Sequence, residues 1–225
     1  MDTPTLASNL HGFYAVLDRA DADLANQLVA PIARGGAGAR VLQLRIKGAI
    51  PGSAPGAPST HDLYEAAQLA RQITREHGAA FIVNDRLDLA LACDADGVHL
   101  GQDDLPLATA RALVQHLGRP FWIGVSTHDL DQVAAACAGG ADYLGYGPVY
   151  ATSTKANPDP VQGVVGLAAA VRRAGEVPVV AIGGIGVDQV CEVYATGAAA
   201  ICAISAVNAA ADPAAAGRRF APTVG

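Results

Sequence analysis

The chain has 225 residues, 51% of them apolar, and a formal charge of −6. It is longer than the roughly 100–200 residues of a typical domain, but α/β barrels commonly run to about 250 residues as one domain. The acidic balance lacks the clustered Lys and Arg of a nucleic-acid footprint, and no apolar run nears the roughly 20 residues that span a bilayer.

Short apolar runs alternate with longer amphipathic stretches from end to end. The runs Phe13–Leu17, Val41–Arg45, Ala80–Val83, Gly97–Leu100, Phe121–Val125, Asp142–Tyr146, Pro178–Ile182 and Ala199–Ala203 read as strands. They are continuous rather than alternating in polarity, as suits parallel strands covered on both faces. Helices are expected over Asp21–Arg34, His61–His77, Arg86–Cys93, Leu105–His116, Asp129–Ala138, Val164–Ala174, Val187–Ala195 and Asn208–Arg219. Pro106 falls where a first-turn proline is tolerated. Gly78, Gly118, Gly139, Gly175 and Gly197 follow helix ends, where a left-handed cap is wanted. Eight strand–helix units predict a single (β/α)₈ TIM barrel over residues 1–225, with a doubly wound open sheet as the alternative. The Gly/Pro/Ser-rich segment Gly48–Thr60 reads as a flexible loop after strand two, either an active-site lid or an incidental insertion.

Cys93, Cys137, Cys191 and Cys202 form no C-x-x-C pair, so they read as free thiols of a reducing cytosol. The N-terminus lacks the charged and apolar regions of a signal peptide. A cytoplasmic enzyme acting on small molecules is the expectation, with a homo-oligomer left open.

In barrels the chemistry gathers at the C-terminal ends of the strands. Gln43 and Arg45 alternate with Leu44 and so share a face, where their burial is costly without a ligand or partner. With Lys47 they suit a phosphate or diphosphate, against the alternative of a strand-end salt bridge. Asn84 and Asp85 end strand three; Gln102, Asp103 and Asp104 follow strand four. All could be helix caps. Yet Asp85 and Asp103 or Asp104 lie on neighbouring strand ends facing cations, as a Mg²⁺–diphosphate site requires. Ser126 follows strand five and reads equally as a cap or a ligand donor. After strand six, Thr152, Ser153, Thr154 and Lys155 have the composition of an anion loop. Gly184 after strand seven lets backbone N–H groups approach a phosphate, and Ser205 after strand eight precedes a helix N-terminus. His99 reads as a structural histidine and His128 as a helix start. The placement therefore suggests two anion sites at one mouth, and displacement of diphosphate from an activated carbon.

The segments QLRIK (43–47), ND (84–85), GQDD (101–104), GVS (124–126), GPVYATSTK (147–155), IGGI (182–185) and AIS (203–205) resemble the signature segments of the thiamine-phosphate synthase family, in that family's order and across nearly the whole barrel. The resemblance implies a transferase that joins 4-amino-2-methyl-5-hydroxymethylpyrimidine diphosphate to a thiazole phosphate or carboxythiazole phosphate, with one Mg²⁺ per subunit. It implies that Gln43, Leu44, Arg45, Ile46, Lys47, Asn84, Ser126 and Lys155 hold the pyrimidine diphosphate. Of these, Arg45, Lys47, Ser126 and Lys155 are implied to be catalytic. Asp85 and Asp104 would bind the metal, and Thr152, Ser153, Thr154, Gly184, Ile204 and Ser205 the thiazole phosphate. Three departures stand out: Ile46 where the family often has an acid, Ala151 for a frequent proline, and the longer Gly48–Thr60 segment. A thiazole tautomerase-like paralogue, a non-catalytic phosphate-binding barrel and an isomerase of sugar or indole metabolism are the rival readings. The tautomerase would not need the two carboxylate segments.

Overall fold

Side chains along each strand alternate between two apolar environments, one inside a closed barrel and one beneath its helices. The computed structural model describes residues 10–33, 38–48, 50, 57–152 and 159–222. Eight parallel strands form a closed barrel in the order β1 to β8. They are β1 (Gly12–Leu17), β2 (Val41–Leu44), β3 (Ala80–Asn84), β4 (Gly97–Leu100), β5 (Trp122–Thr127), β6 (Tyr143–Tyr146), β7 (Val179–Ile182) and β8 (Ala200–Cys202). The expected TIM barrel is thus the observed fold, with strand ends shifted by one or two residues.

Around the barrel run α1 (Ala22–Ala33), α2 (Thr60–His77), α3 (Leu87–Ala92), α4 (Leu107–Val114), α5 (Leu130–Ala138), α6 (Gly163–Ala174), α7 (Val190–Ala195), α8 (Ser205–Asn208) and α9 (Pro213–Arg218). Five local expectations are corrected. The helix expected over Asn208–Arg219 is two pieces, because Asp212 caps a new start at Pro213 by accepting from the Ala215 N–H at 2.8 Å. The turn Val187–Gln189 is 3₁₀ rather than α. Pro106 lies outside its helix, at the cap position. Gly139 keeps a right-handed φ of −76°, and Gly140 beside it takes the left-handed one at +80°. The segment Gly48–Thr60 ends earlier than expected: Ser59 and Asp62 form a capping box, so Thr60 already belongs to α2. Residues 49 and 51–56, on which the lid expectation chiefly falls, lie outside the described residues.

Two cores result from the alternation. Leu42, Phe81, Val98, Ile123, Leu144 and Ile201 pack outward beneath the helices. Tyr14, Val16, Ile82, Trp122, Tyr143, Val180 and Cys202 fill the barrel interior. Large and small residues interlock inside. A Cβ on Gly124 would lie 2.1 Å from the Tyr143 ring, and one on Gly145 would lie 3.2 Å from His99.

Two like clamps tie the N-terminal rim. Asp96, just before β4, accepts from the Phe81 N–H of β3 at 2.7 Å and from both Arg71 guanidinium nitrogens of α2. Asp142, just before β6, accepts from the Ile123 N–H of β5 and from Arg111 of α4, both at 2.6 Å. Each carboxylate replaces a missing ladder acceptor and anchors a helix to the rim through a charge-assisted bond. The rim opposite is therefore free to be built for ligands. No helix among the described residues is long and apolar enough to cross a membrane.

Candidate active site

The C-terminal ends of the strands enclose a cavity of about 650 Å³. That volume suits small-molecule ligands. Of the residues expected at the site, Gln43, Arg45, Lys47, Asn84, Asp85, Asp104, Ser126, Thr152, Gly184, Ile204 and Ser205 all line it. Leu44 and Ile46 do not. Leu44 is buried in the outer core and Ile46 packs against it, so any contact they make with a ligand comes from their backbone. The same direction explains why an apolar residue is tolerated at position 46. Ser153, Thr154 and Lys155 lie outside the described residues.

On one side, β2 and β3 supply a polar floor. Gln43 is 5% exposed, and its amide donates to the Asn84 Oδ1 at 2.6 Å. This bond orients both amides, and Gln43 keeps its carbonyl for a ligand donor. Lys47 lies 3.3 Å from Asp85, so the expected cation site is already paired with an expected metal ligand. Asp85 has a φ of +62°, in the left-handed region that aspartate tolerates better than most residues. Its N–H is held by the His99 carbonyl of β4 at 2.8 Å. Across from it, Asp104 accepts from the Gly101 N–H at 2.7 Å, which closes the GQDD turn and sets the carboxylate toward β3.

Burial, and then the neighbouring Asp104 carboxyl, push the Asp85 carboxyl up from its ordinary value, while Lys47 pulls it down. Two carboxyls held this close disfavour each other's charge. A divalent cation would relieve that conflict. The donor set, two carboxylates, is hard oxygen. That fits a Mg²⁺ ion, which takes one or two carboxylates and fills its octahedron with phosphate oxygens and water. Asp103, the alternative ligand, is exposed, while the Asp104 carboxyl meets that of Asp85.

The opposite side is a backbone cradle. Gly183 and Gly184 have φ of +98° and +64°. A Cβ on Gly184 would meet the Ala151 carbonyl at 2.2 Å, so the turn after β7 packs directly on the loop after β6. Two ladder-like bonds lock the pair, Val149 N–H to the Ile182 carbonyl and Tyr150 N–H to the Gly183 carbonyl, each 2.9 Å. They hold the loop on which Ala151 lies. Ile204 and Ser205 complete this side at the start of α8.

His99, expected to be structural, and His128, expected to start a helix, also line the cavity. The Nε2 of His99 meets the Ser126 hydroxyl at 2.9 Å. Its Nδ1 meets the Tyr143 hydroxyl at 3.1 Å, and Tyr143 meets Tyr14 at 2.9 Å. Burial lowers the His99 pKa to about 4, with Asp104 opposing and Arg45 assisting, so the ring is neutral. Gln102 donates to the Ser126 carbonyl at 2.6 Å and so holds the backbone that carries this hydroxyl. His128 spans from the Gly147 carbonyl, at 2.6 Å, to Asp159, at 3.4 Å. A histidine at an inward position of an apolar strand was the one available signal.

Comparison with known proteins supplies a family. The model of the family described as thiamine monophosphate synthase matches residues 13–207. A thiamine-phosphate synthase of Methanospirillum hungatei is 49% identical over 184 residues, covering 82% of this chain and 83% of that protein. One from Anaeromyxobacter dehalogenans is 43% identical over 218 residues, covering 95% and 87%. Among solved structures, the thiamine phosphate pyrophosphorylase of Pyrococcus furiosus superposes with a TM-score of 0.79 at 36% identity, covering 96% of both chains. A 3-hexulose-6-phosphate synthase shares the barrel at a TM-score of 0.63 and 21% identity, a likeness of fold alone.

Proposed function

The chain belongs to the thiamine monophosphate synthase family, and we propose that its barrel mouth joins hydroxymethylpyrimidine diphosphate to thiazole phosphate, releasing diphosphate. The observation that carries this reading is the pairing of Asp85 and Asp104 on neighbouring strand ends, beside Lys47 and across the cavity from the Gly183–Gly184 turn. It supports a reading with a cation-dependent diphosphate site on one side of the cavity and a monophosphate site on the other.

In this reading the pyrimidine diphosphate lies over β2 to β5. Gln43, Asn84 and Ser126 orient the ring, the backbone of Leu44 and Ile46 borders it, and Arg45 and Lys47 face the diphosphate. Lys155 joins them on the strength of the sequence. Asp85 and Asp104 would hold one Mg²⁺ per subunit, which neutralises charge on the leaving diphosphate. The C–O bond to the diphosphate breaks while the amino-substituted ring supports positive charge at the methylene carbon. Arg45 and Lys47 stabilise the charge that develops on the departing oxygens. The thiazole phosphate sits against Gly184, Ile204, Ser205 and Thr152, with Ser153 and Thr154 assigned from the sequence. Its ring nitrogen attacks the methylene carbon, and a carboxythiazole would also lose CO₂. The protein's main contributions are positioning and exclusion of water. We place this enzyme in the cytoplasm, acting on small molecules without nucleic acid or membrane, with the homo-oligomer left open.

The test is a coupling assay with both substrates, with and without Mg²⁺. Matched, Mg²⁺-dependent appearance of diphosphate and thiamine phosphate is expected. Asp104→Ala should abolish most turnover while leaving the fold intact. Mg²⁺-dependent activity retained in that variant would sink the metal assignment.

A further inference from the structure

The hydrogen-bonded line Tyr14, Tyr143, His99, Ser126 runs from the closed interior of the barrel to the cavity, and its buried end has few options. Tyr14 and Tyr143 are 3% and 1% exposed. Among the described residues, Tyr143 is the hydrogen-bond partner of the Tyr14 hydroxyl. Each hydroxyl has one proton to give, and a neutral imidazole carries one N–H and one bare nitrogen.

Two orders run in one direction along the line; a third, in which Tyr14 and His99 Nδ1–H both donate to Tyr143, leaves the buried Tyr143 proton without an acceptor among the described residues. In the inward order, Ser126 donates to His99 Nε2, Nδ1–H donates to Tyr143, and Tyr143 donates to Tyr14. The Tyr14 proton is then buried without an acceptor, at the cost of an unmade bond. In the outward order, Tyr14 donates to Tyr143, Tyr143 donates to His99 Nδ1, and His99 Nε2–H donates to the Ser126 oxygen. Every proton of the line is used, and the Ser126 proton is left for the cavity.

We infer that the line is polarised outward, so that His99 is held as its Nε2–H tautomer and Ser126 faces the ligand as a hydrogen-bond donor. A donor there selects an acceptor. On the reading proposed above, the acceptor is a ring nitrogen of the pyrimidine rather than its exocyclic amino group. Tyr14, Tyr143 and His99 are then positioning residues that act through Ser126. Gly124 and Gly145 keep the two rings in line, since a side chain at either would press on Tyr143 or His99.

The direction is read by nitrogen-15 NMR of histidine-labelled resting protein, with the His99 signals assigned by their loss in His99→Gln. A protonated Nε2 and a bare Nδ1 are expected. A protonated Nδ1, or a charged ring at neutral pH, would overturn the outward order. The ligand atom is read by titrating hydroxymethylpyrimidine alcohol and, separately, inorganic diphosphate into wild type and Ser126→Ala by calorimetry. The alcohol should bind about two- to tenfold more weakly to the variant, the range of one hydrogen bond, with diphosphate unchanged. Loss confined to diphosphate would overturn the ring-nitrogen assignment. A folded wild type that binds no alcohol would overturn that assignment together with the proposed function, while the NMR result, read without ligand, still decides the direction of the line.

Discussion

Gly124→Ala adds one methyl group where the barrel interior has no room for it. The new Cβ would stand 2.1 Å from Tyr143 Cζ, 2.4 Å from Cε1 and 2.5 Å from the hydroxyl. Carbon atoms rest at about 3.5–4.0 Å, so the ring must retreat by more than 1 Å. Tyr143 is 1% exposed, and retreat breaks its bonds to Tyr14 and His99. Overpacking costs about 1–3 kcal/mol and each lost bond about 1 kcal/mol. The entropy that alanine removes from the unfolded chain returns only about 0.4–1 kcal/mol. The expected loss is about 3 kcal/mol, or about 6–12 °C in Tm for a chain of this size. Thermal and urea unfolding followed by circular dichroism measure it. In a Tyr143→Leu background the clashing ring is gone, and the same substitution should change stability by less than about 1 kcal/mol. The packing argument fails if Gly124→Ala melts with the wild type, or if its cost persists unchanged beside Leu at position 143.

Three further outcomes are expected. Asp96→Ala leaves the largely buried Arg71 without its carboxylate and the Phe81 N–H without its acceptor, so urea unfolding should show a loss of about 3–5 kcal/mol, with the kcat of the folded fraction unchanged. Gly184→Ala combines a left-handed φ with a clash against the Ala151 carbonyl, so steady-state kinetics should show the KM for thiazole phosphate rising about tenfold or more, and that for the pyrimidine diphosphate moving little. Equal rises in both would show that the two sides of the mouth are not separate sites. Asp85→Asn removes a charged ligand and leaves the fold, so the Mg²⁺ concentration for half-maximal rate should rise about tenfold or more; an unchanged Mg²⁺ dependence would place the ion elsewhere.

The polar residues that end the strands were legible because each lies beside a recognisable local pattern. Gln43 and Arg45 break an apolar run at every second position. Asp85 and Asp104 sit between a strand and a helix, and Gly183–Gly184 follows β7 directly. The Tyr14, Tyr143, His99 line was not legible. Tyr14 and Tyr143 are 129 residues apart and meet across the barrel interior, from strands that are not neighbours in the sheet. No local period encodes such a contact. Helix ends were also misjudged where a cap competed with propensity, as at Asp212 and Pro106.

By itself the sequence determined the eight strands and their alternation with helices, the end of the barrel where the polar residues gather, and the segments that resemble a family. Those properties depend on periods of two and 3.6 residues and on residue types next to one another in the chain. Only the tertiary structure decided which carboxylate faces Asp85, which side Leu44 and Ile46 take, and which side chains meet the Ser126 hydroxyl. Each of these depends on closure of the sheet, which brings β1, β4, β5 and β6 around one interior and lets Tyr14 meet Tyr143 across it.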